Sequence, residues 1–180
     1  MKKLLLTFVL ITGVILISNA QGVDFGLKAG LNMAKLSGDV EQADLKAGLH
    51  AGVFLNLKLN DNFAISPEAL FSQQGAKSDI GSLNLNYVNV PILAKIGFAK
   101  VLNLHLGPQF GFLMSAKIKD FDVKEDYKSL DLSAVAGLGL DLPMGITGGA
   151  RYNLGLGSID DGDNKTTNQY FQVYIGYKLF

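Results

Sequence analysis

Nine ionisable side chains share the polar face of alternating segments in this chain, and they could do acid–base chemistry if the fold brought them together. They are Lys28, His50, Lys58, Glu68, Lys95, His105, Asp131, Asp141 and Arg151. A carboxylate beside a histidine can exchange protons with a substrate, but no candidate nucleophile and no metal-type histidine spacing accompanies these groups. We therefore interpret the charges as ion pairs that fill and rigidify the interior of the fold, because unpaired buried charges are costly.

Six of these side chains make up the predicted structural network: Lys28, Glu68, Lys95, Asp131, Asp141 and Arg151. We expect Glu68, Arg151 and Lys95 to lie at its centre. We predict no catalytic residue, no cofactor and no metal site. The acidic segment 160–164 lacks the spacing of a calcium-binding loop, and Gly137 and Gly139 lack the third glycine of a nucleotide-binding turn.

The elements that must position these side chains are strands, because apolar and polar residues alternate with a period of two from Asp24 to the end of the chain. Eight segments follow this pattern, at 24–34, 47–58, 63–73, 83–96, 102–112, 130–141, 146–154 and 171–179. The sequence therefore predicts an all-β fold of eight strands.

Two strands interrupt the regular pattern. Pro67 has no amide hydrogen to donate to a neighbouring strand, so we expect a local bulge there. Leu83 and Leu85 lie in the opposite phase from Val88 and the apolar residues that follow it. A register slip or bulge at 86–87 would reconcile the two halves of that strand.

The connections between the segments are predicted to alternate between long and short, beginning with a long one. The longest are the polar stretches at 116–128 and 157–168, whereas the shortest are tight turns. This alternation is typical of an antiparallel up-and-down barrel in an outer membrane, with long loops facing outward and short turns facing the periplasm.

Glycines on the polar face indicate which side of the strands points inward. They are Gly26, Gly30, Gly48, Gly52, Gly107, Gly111, Gly137, Gly139 and Gly149. A soluble ligand-binding barrel would show the same period with an apolar interior, but glycine weakens a solvent-facing strand without any benefit. The interior of an eight-stranded barrel is narrow, so small residues beside large polar ones fit there. We therefore predict a transmembrane β-barrel with lipid against its apolar face.

The first twenty residues have the pattern of a cleavable signal peptide. Lys2 and Lys3 precede an apolar run at 4–17, and small residues end at Ala20. The run is shorter than the roughly 20 residues of a membrane-spanning helix. We therefore divide the chain into a signal peptide at 1–20 and a barrel domain at 21–180, exported to the bacterial outer membrane.

Charge and cysteine content exclude other classes of protein. Without Lys2 and Lys3, 14 basic residues stand against 16 acidic ones, and no basic stripe suggests nucleic acid as a partner. The chain has no cysteine, so neither disulfides nor a lipoprotein anchor is possible.

Several short motifs resemble the PorT-type outer-membrane barrel domain of Bacteroidetes. They lie, in order, at 26–32, 67–75, 87–95, 106–108 and 149–155. The resemblance covers essentially the whole chain after the signal peptide, and it implies an eight-stranded outer-membrane barrel. It implies no established molecular activity for most members, although the family's eponymous member is implicated in secretion of cell-surface proteins. Fold alone does not transfer that role.

We therefore expect a monomeric, non-enzymatic barrel that has a structural or interaction role through its extracellular loops. Its expected partners are the lipid bilayer, the barrel-assembly machinery and a protein at the loops. Phe180 is expected to serve as an assembly signal, although it lies one step out of phase with the lipid-facing Tyr177 and Leu179. The alternatives are a secretion component, a narrow pore, an adhesion factor or a small outer-membrane enzyme.

Overall fold

The structure is a computed structural model that describes residues 22–38, 45–78, 81–118, 121–158 and 166–180. The predicted signal peptide at 1–20 lies outside the described residues. Nine strands are present among the described residues: β1 (Gly22–Gly38), β2 (Lys46–Asn60), β3 (Phe63–Ser78), β4 (Gly81–Gly97), β5 (Leu102–Ile118), β6 (Phe121–Asp122), β7 (Leu130–Asp141), β8 (Ile146–Gly155) and β9 (Thr166–Lys178). Short 3₁₀ turns occupy Lys124–Asp126 and Pro143–Gly145.

Eight of the strands form a closed antiparallel barrel. Neighbours in the chain pair in turn, β4 pairs with β5, and the first strand β1 pairs with the last strand β9. The two-residue β6 adds only a short extension to β5. Closure gives each of these eight strands a neighbour on both sides, which confirms the predicted eight-stranded up-and-down barrel.

Side chains alternate between the outside and the interior along every strand of the barrel. On β1, Leu27 and Leu31 are about half exposed at 49% and 51%, whereas the intervening Lys28 is 5% exposed. Polar and charged residues therefore occupy the interior, and large apolar residues cover the outside. This arrangement confirms the predicted direction of the two faces.

The two ends of the barrel differ in their connections. One end, here the turn end, has short connections at 61–62, 98–101 and 142–145, together with residues Gly22 and Phe180. The other, here the loop end, has connections at 39–45, 79–80, 119–129 and 156–165. The second of these was expected to be long, and that expectation was wrong. Polar residues at 74–78 extend β3 instead, because the hairpin with β4 continues to the pair Ser78–Gly81.

The expected irregularity at 86–87 is present, but it lies on the partner strand. Asn86 pairs with Ser115 and Tyr87 pairs with Leu113, so Met114 is the additional residue in β5. β4 therefore keeps its phase, and Leu83 and Leu85 point inward. They belong to a buried apolar cluster near the loop end: Ala76, Leu83, Leu85, Tyr87, Leu113 and Ala116.

The expected bulge at Pro67 is absent from the pairing of β3 with β4. Pro67 faces Ile92, and the next recorded pair, Leu70 with Asn89, keeps the same register. The ladder loses two residue pairs at this point without shifting. A regular strand can thus tolerate the missing donor, since the side chains beyond it remain on the correct face.

No helix in the described part of the chain has the length and apolar composition of a membrane-spanning segment.

Candidate functional site

The middle of the barrel interior contains a buried cluster of three charged side chains, Lys28, Glu68 and Arg151, which we call the central cluster. Arg151 Nη1 donates to Glu68 Oε2 and Arg151 Nη2 donates to Glu68 Oε1, both at 2.8 Å. Lys28 Nζ donates to Glu68 Oε1 at 2.7 Å. All three side chains are at most 3% exposed. One carboxylate therefore receives hydrogen bonds from two cations in a space with almost no access to water.

Aromatic rings surround the excess positive charge of the central cluster. The ring of Tyr174 lies 4.1 Å from Lys28 Nζ and 4.7 Å from Arg151 Cζ, measured to the ring centroid. Phe54 lies 5.1 Å from Lys28 Nζ on another side. Since the face of an aromatic ring carries partial negative charge, these contacts stabilise the two cations that share one carboxylate.

A histidine extends the central cluster on the side of Arg151. Arg151 Nε donates to His105 Nδ1 at 3.1 Å, and the rings of His105 and Tyr174 stack with centroids 6.4 Å apart. His105 Nε2 and both ring nitrogens of His50 have no hydrogen-bond partner in the described ranges. The described residues contain no group of three side chains that could hold a metal ion.

Lys95 and Asp141 lie apart from the central cluster, which corrects the expectation that Lys95 belongs to the centre. Lys95 pairs with Asp141 at 2.7 Å near the turn end of the barrel. In the strand register Lys95 faces Ala64, four residues along β3 from Glu68. That separation is about 13 Å at the usual rise per strand residue, so Lys95 lies at a different level of the barrel from Glu68. Besides Arg151, the cation that pairs with Glu68 is Lys28.

Asp131 lies in a third region, nearer the loop end. It faces Gly111 in the register of β5 with β7, and only 6% of the residue is exposed. No ion pair to it is recorded within the described segments, and its Oδ1 atom has no hydrogen-bond partner there. The six predicted network residues therefore divide into a central cluster, a pair at the turn end and one separate carboxylate.

A layer of amide and hydroxyl side chains fills the interior between the central cluster and the loop end. Tyr170 Oη accepts hydrogen bonds from Asn89 Nδ2 at 3.0 Å and Gln109 Nε2 at 2.8 Å. Asn32 Nδ2 donates to Ser72 Oγ at 2.9 Å in the same layer. The network predicted from the sequence contained only charged groups and did not include this layer, although its members occupy inward positions of the same alternating pattern.

The interior side chains thus form a packed core rather than an open cavity at the level of the central cluster. Leu70 and Leu93 are 1% and 0% exposed, and both point inward alongside the charged groups. The chemistry of this arrangement is ion pairing and packing, because the three charged groups contact one another and their side chains are almost inaccessible to water.

The barrel fold is shared with known outer-membrane proteins. Residues 19–161 match a family model described as an outer membrane protein beta-barrel domain. The chain belongs to this family of outer membrane β-barrels. The family and the closed barrel together place the protein in the bacterial outer membrane. The comparison with curated proteins gave no match.

Two solved outer-membrane proteins share the fold of this family member. Neisserial surface protein A (NspA) superposes with a TM-score of 0.58 at 15% identity, covering 88% of this chain and all of that one. Ail, the attachment invasion locus protein of Yersinia pestis, superposes with a TM-score of 0.54 at 14% identity, covering 86% of this chain and 98% of that one. Ail has also been solved with the heparin analogue sucrose octasulfate, with a TM-score of 0.50, 13% identity, 87% of this chain and all of that chain covered. At these identities the likeness concerns the fold alone.

Proposed function

We propose that this protein is a closed, non-enzymatic barrel with a structural or adhesive role, whose partners bind at the loop end. The observation that carries the proposal is the central cluster, because Lys28, Glu68 and Arg151 fill the bore and pair with one another. A blocked interior argues against free conduction. It leaves the extracellular loops as the surface that partners can reach.

The charge of the loops favours one kind of partner. Acidic residues outnumber basic ones in each of the connections at 39–45, 79–80, 119–129 and 156–165. Ail binds a sulfated polyanion in one of its solved structures, but such a ligand would be repelled by an acidic loop end. A protein surface with basic groups is the better match for this chain.

The signal peptide, the branch of the family, the assembly signal and the monomeric state are proposed from the sequence. Residues 1–20 act as a cleaved signal peptide, and the motif resemblance supports membership of the PorT-type branch of Bacteroidetes barrels. Phe180 serves the barrel-assembly machinery as a terminal signal, and the mature protein is a monomer. A part in secretion of surface proteins has only the family resemblance behind it.

Two measurements test the proposal. The purified protein in planar lipid bilayers should give no steady single-channel conductance, whereas a stable conductance would contradict the closed barrel.

In cells, Phe121→Cys at the loop end should react with a membrane-impermeant maleimide, while the control Phe98→Cys at the turn end should react only after lysis. The chain has no cysteine of its own, so the labelling background is clean. The reverse labelling pattern would overturn the placing of partners at the loop end.

A further inference from the structure

The turn end of the barrel opens into a cavity of about 440 Å³, which we call the vestibule. Its charged lining consists of Asp24, Lys58, Asp61, Lys95, Lys100, Asp141 and Lys178. The vestibule is separate from the loop end, where the proposed function places partners. A cavity of this size falls in the usual range of sites for small ligands.

The charged groups of the vestibule alternate in sign. Asp24 contacts Lys58 at 2.7 Å and Lys178 at 3.4 Å, whereas Asp141 contacts Lys178 at 3.4 Å and Lys95 at 2.7 Å. Two carboxylates are therefore shared among three ammonium groups. Asp61 and Lys100 also line the cavity and balance each other in charge, so one positive charge is in excess. Among the paired ammonium groups, the half-exposed Lys58 side chain, at 47%, is the one most able to turn toward a ligand.

Two buried asparagines in the vestibule wall have unused hydrogen-bonding atoms. Asn56 and Asn103 are 3% and 4% exposed, and both line the cavity. Across the described ranges, Asn56 Nδ2 lacks an acceptor and Asn103 Oδ1 lacks a donor. A buried amide atom without a partner costs free energy, so these two atoms favour a ligand that brings an acceptor and a donor.

Apolar side chains also line the vestibule at its rim. Phe98 and Val101 are 60% and 37% exposed, and both belong to the connection between β4 and β5. An apolar group bound here would lose contact with water beside these side chains. The vestibule thus combines an excess cation, a free donor, a free acceptor and an apolar rim.

We propose that the vestibule binds the carboxyl-terminal end of a peptide. The terminal carboxylate would pair with Lys58, the peptide N–H and C=O groups would bond to Asn103 and Asn56, and the last side chain would pack on Phe98. A peptide terminus carries one negative charge, which matches the single excess cation, whereas a doubly charged phosphate would meet the two resident carboxylates. In the predicted orientation the vestibule faces the periplasm, where both free peptides and protein termini are available.

The test uses the folded full-length barrel in detergent micelles with N-acetylphenylalanine as the probe, followed by isothermal titration calorimetry. We expect saturable binding that weakens about tenfold in Lys58→Met, since a charge-assisted hydrogen bond is lost. Lys117→Met removes an exposed lysine near the loop end and should leave binding unchanged. N-acetylphenylalaninamide, which lacks the carboxylate, should bind at least as weakly as the probe binds to Lys58→Met.

Three results would overturn the proposal: no saturable binding of the probe, equal binding of the amide, or equal binding by Lys58→Met. Inorganic phosphate that competes as well as the probe would overturn it too, because the site would then recognise anions alone. If the probe binds, two further ligands distinguish free peptides from protein termini. One is a longer acetylated peptide with the same carboxyl terminus, and the other is that peptide fused to a carrier protein. Tighter binding of the fused form indicates a protein terminus, and equal binding indicates free peptide.

Discussion

Arg151 on β8 and Glu68 on β3 meet across the interior of the barrel through two parallel hydrogen bonds of 2.8 Å each, although 83 positions separate them in the sequence. Arg151 is the only arginine in the chain, and its planar guanidinium matches the two oxygens of the carboxylate. Lys28 could not replace it in this geometry, because an ammonium group acts as a single point of charge. The pair therefore joins opposite walls of the barrel at its middle.

Replacing Arg151 with methionine should lower the free energy of unfolding by about 3 kcal/mol, because Glu68 then keeps only Lys28 as a partner in a buried site. Urea titration of the protein folded in lipid vesicles measures this change. The control is Lys58→Met, which breaks a half-exposed pair with Asp24 and should cost no more than about 1 kcal/mol.

A triple variant separates ion pairing from packing in the central cluster. Lys28→Met, Glu68→Leu and Arg151→Met together leave no charge unpaired, so stability should recover most of the loss seen with Arg151→Met alone. A triple variant as unstable as the single one would mean that the shape of Arg151 matters more than its charge. An Arg151→Met loss no larger than that of the Lys58→Met control would refute the structural role of the cluster.

Gly107→Ala should destabilise the barrel by about 1–3 kcal/mol, because the new methyl group has no space. A Cβ atom at this position would overlap the backbone oxygen of Ile92 and would lie 3.0 Å from Leu93 Cα. The neighbouring strand would have to move. The shift of the urea unfolding midpoint reports the effect.

Gly157→Ala is the matched control for the glycine prediction, because a Cβ atom there would meet nothing within 4 Å. Its unfolding midpoint should stay at the wild-type value. Equal midpoints for the two variants would contradict the idea that interior glycines permit close approach of neighbouring strands.

Phe180→Ala should reduce the amount of folded protein in the outer membrane of growing cells, if the terminal aromatic serves as an assembly signal. Phe180 is 76% exposed, its ring stacks on Phe25 at 5.5 Å, and its backbone oxygen accepts a hydrogen bond from Phe25 N at 2.8 Å. Although Phe180 lies one position out of phase with the lipid-facing Tyr177 and Leu179, its ring thus reaches the outer side of β1. The measurement is the folded fraction in isolated outer membranes.

Phe121→Ala provides the control, since Phe121 has the same 76% exposure at the opposite end of the barrel. Refolding into detergent without any cellular machinery gives the second arm. Normal refolding of Phe180→Ala with poor assembly in cells supports a signal. Equal loss in both settings would instead make Phe180 a contributor to closure of β1 on β9.

The sequence predicted the barrel well because a strand pattern is local. The alternation of Leu27 with Lys28 indicates which face of the strand each side chain occupies. Glycines on the polar face indicate that this face points into the narrow interior of the barrel. The strand count and the inward direction of charge followed from such local evidence. The stretch 74–78 misled the prediction, since its short and polar residues resemble a loop in the sequence.

The pairing of charged side chains inside the barrel depends on strand register and on a bulge, and the sequence pattern predicts neither of these reliably. A period of two assigns a face to Lys95 and Lys28, but the level of each along the barrel depends on the register between strands. That register placed Lys28 beside Glu68 and Lys95 beside Asp141. The bulge at Met114 likewise became visible only when β4 and β5 were paired.

The sequence by itself therefore determined the fold class, the lipid-facing surface and the polar character of the interior, because each depends on the order of neighbouring residues. Only the tertiary structure decided which charges meet, and only it revealed the vestibule at the turn end. Both depend on closure of β1 on β9, which brings Asp24 to Lys178 although these residues stand near opposite ends of the chain.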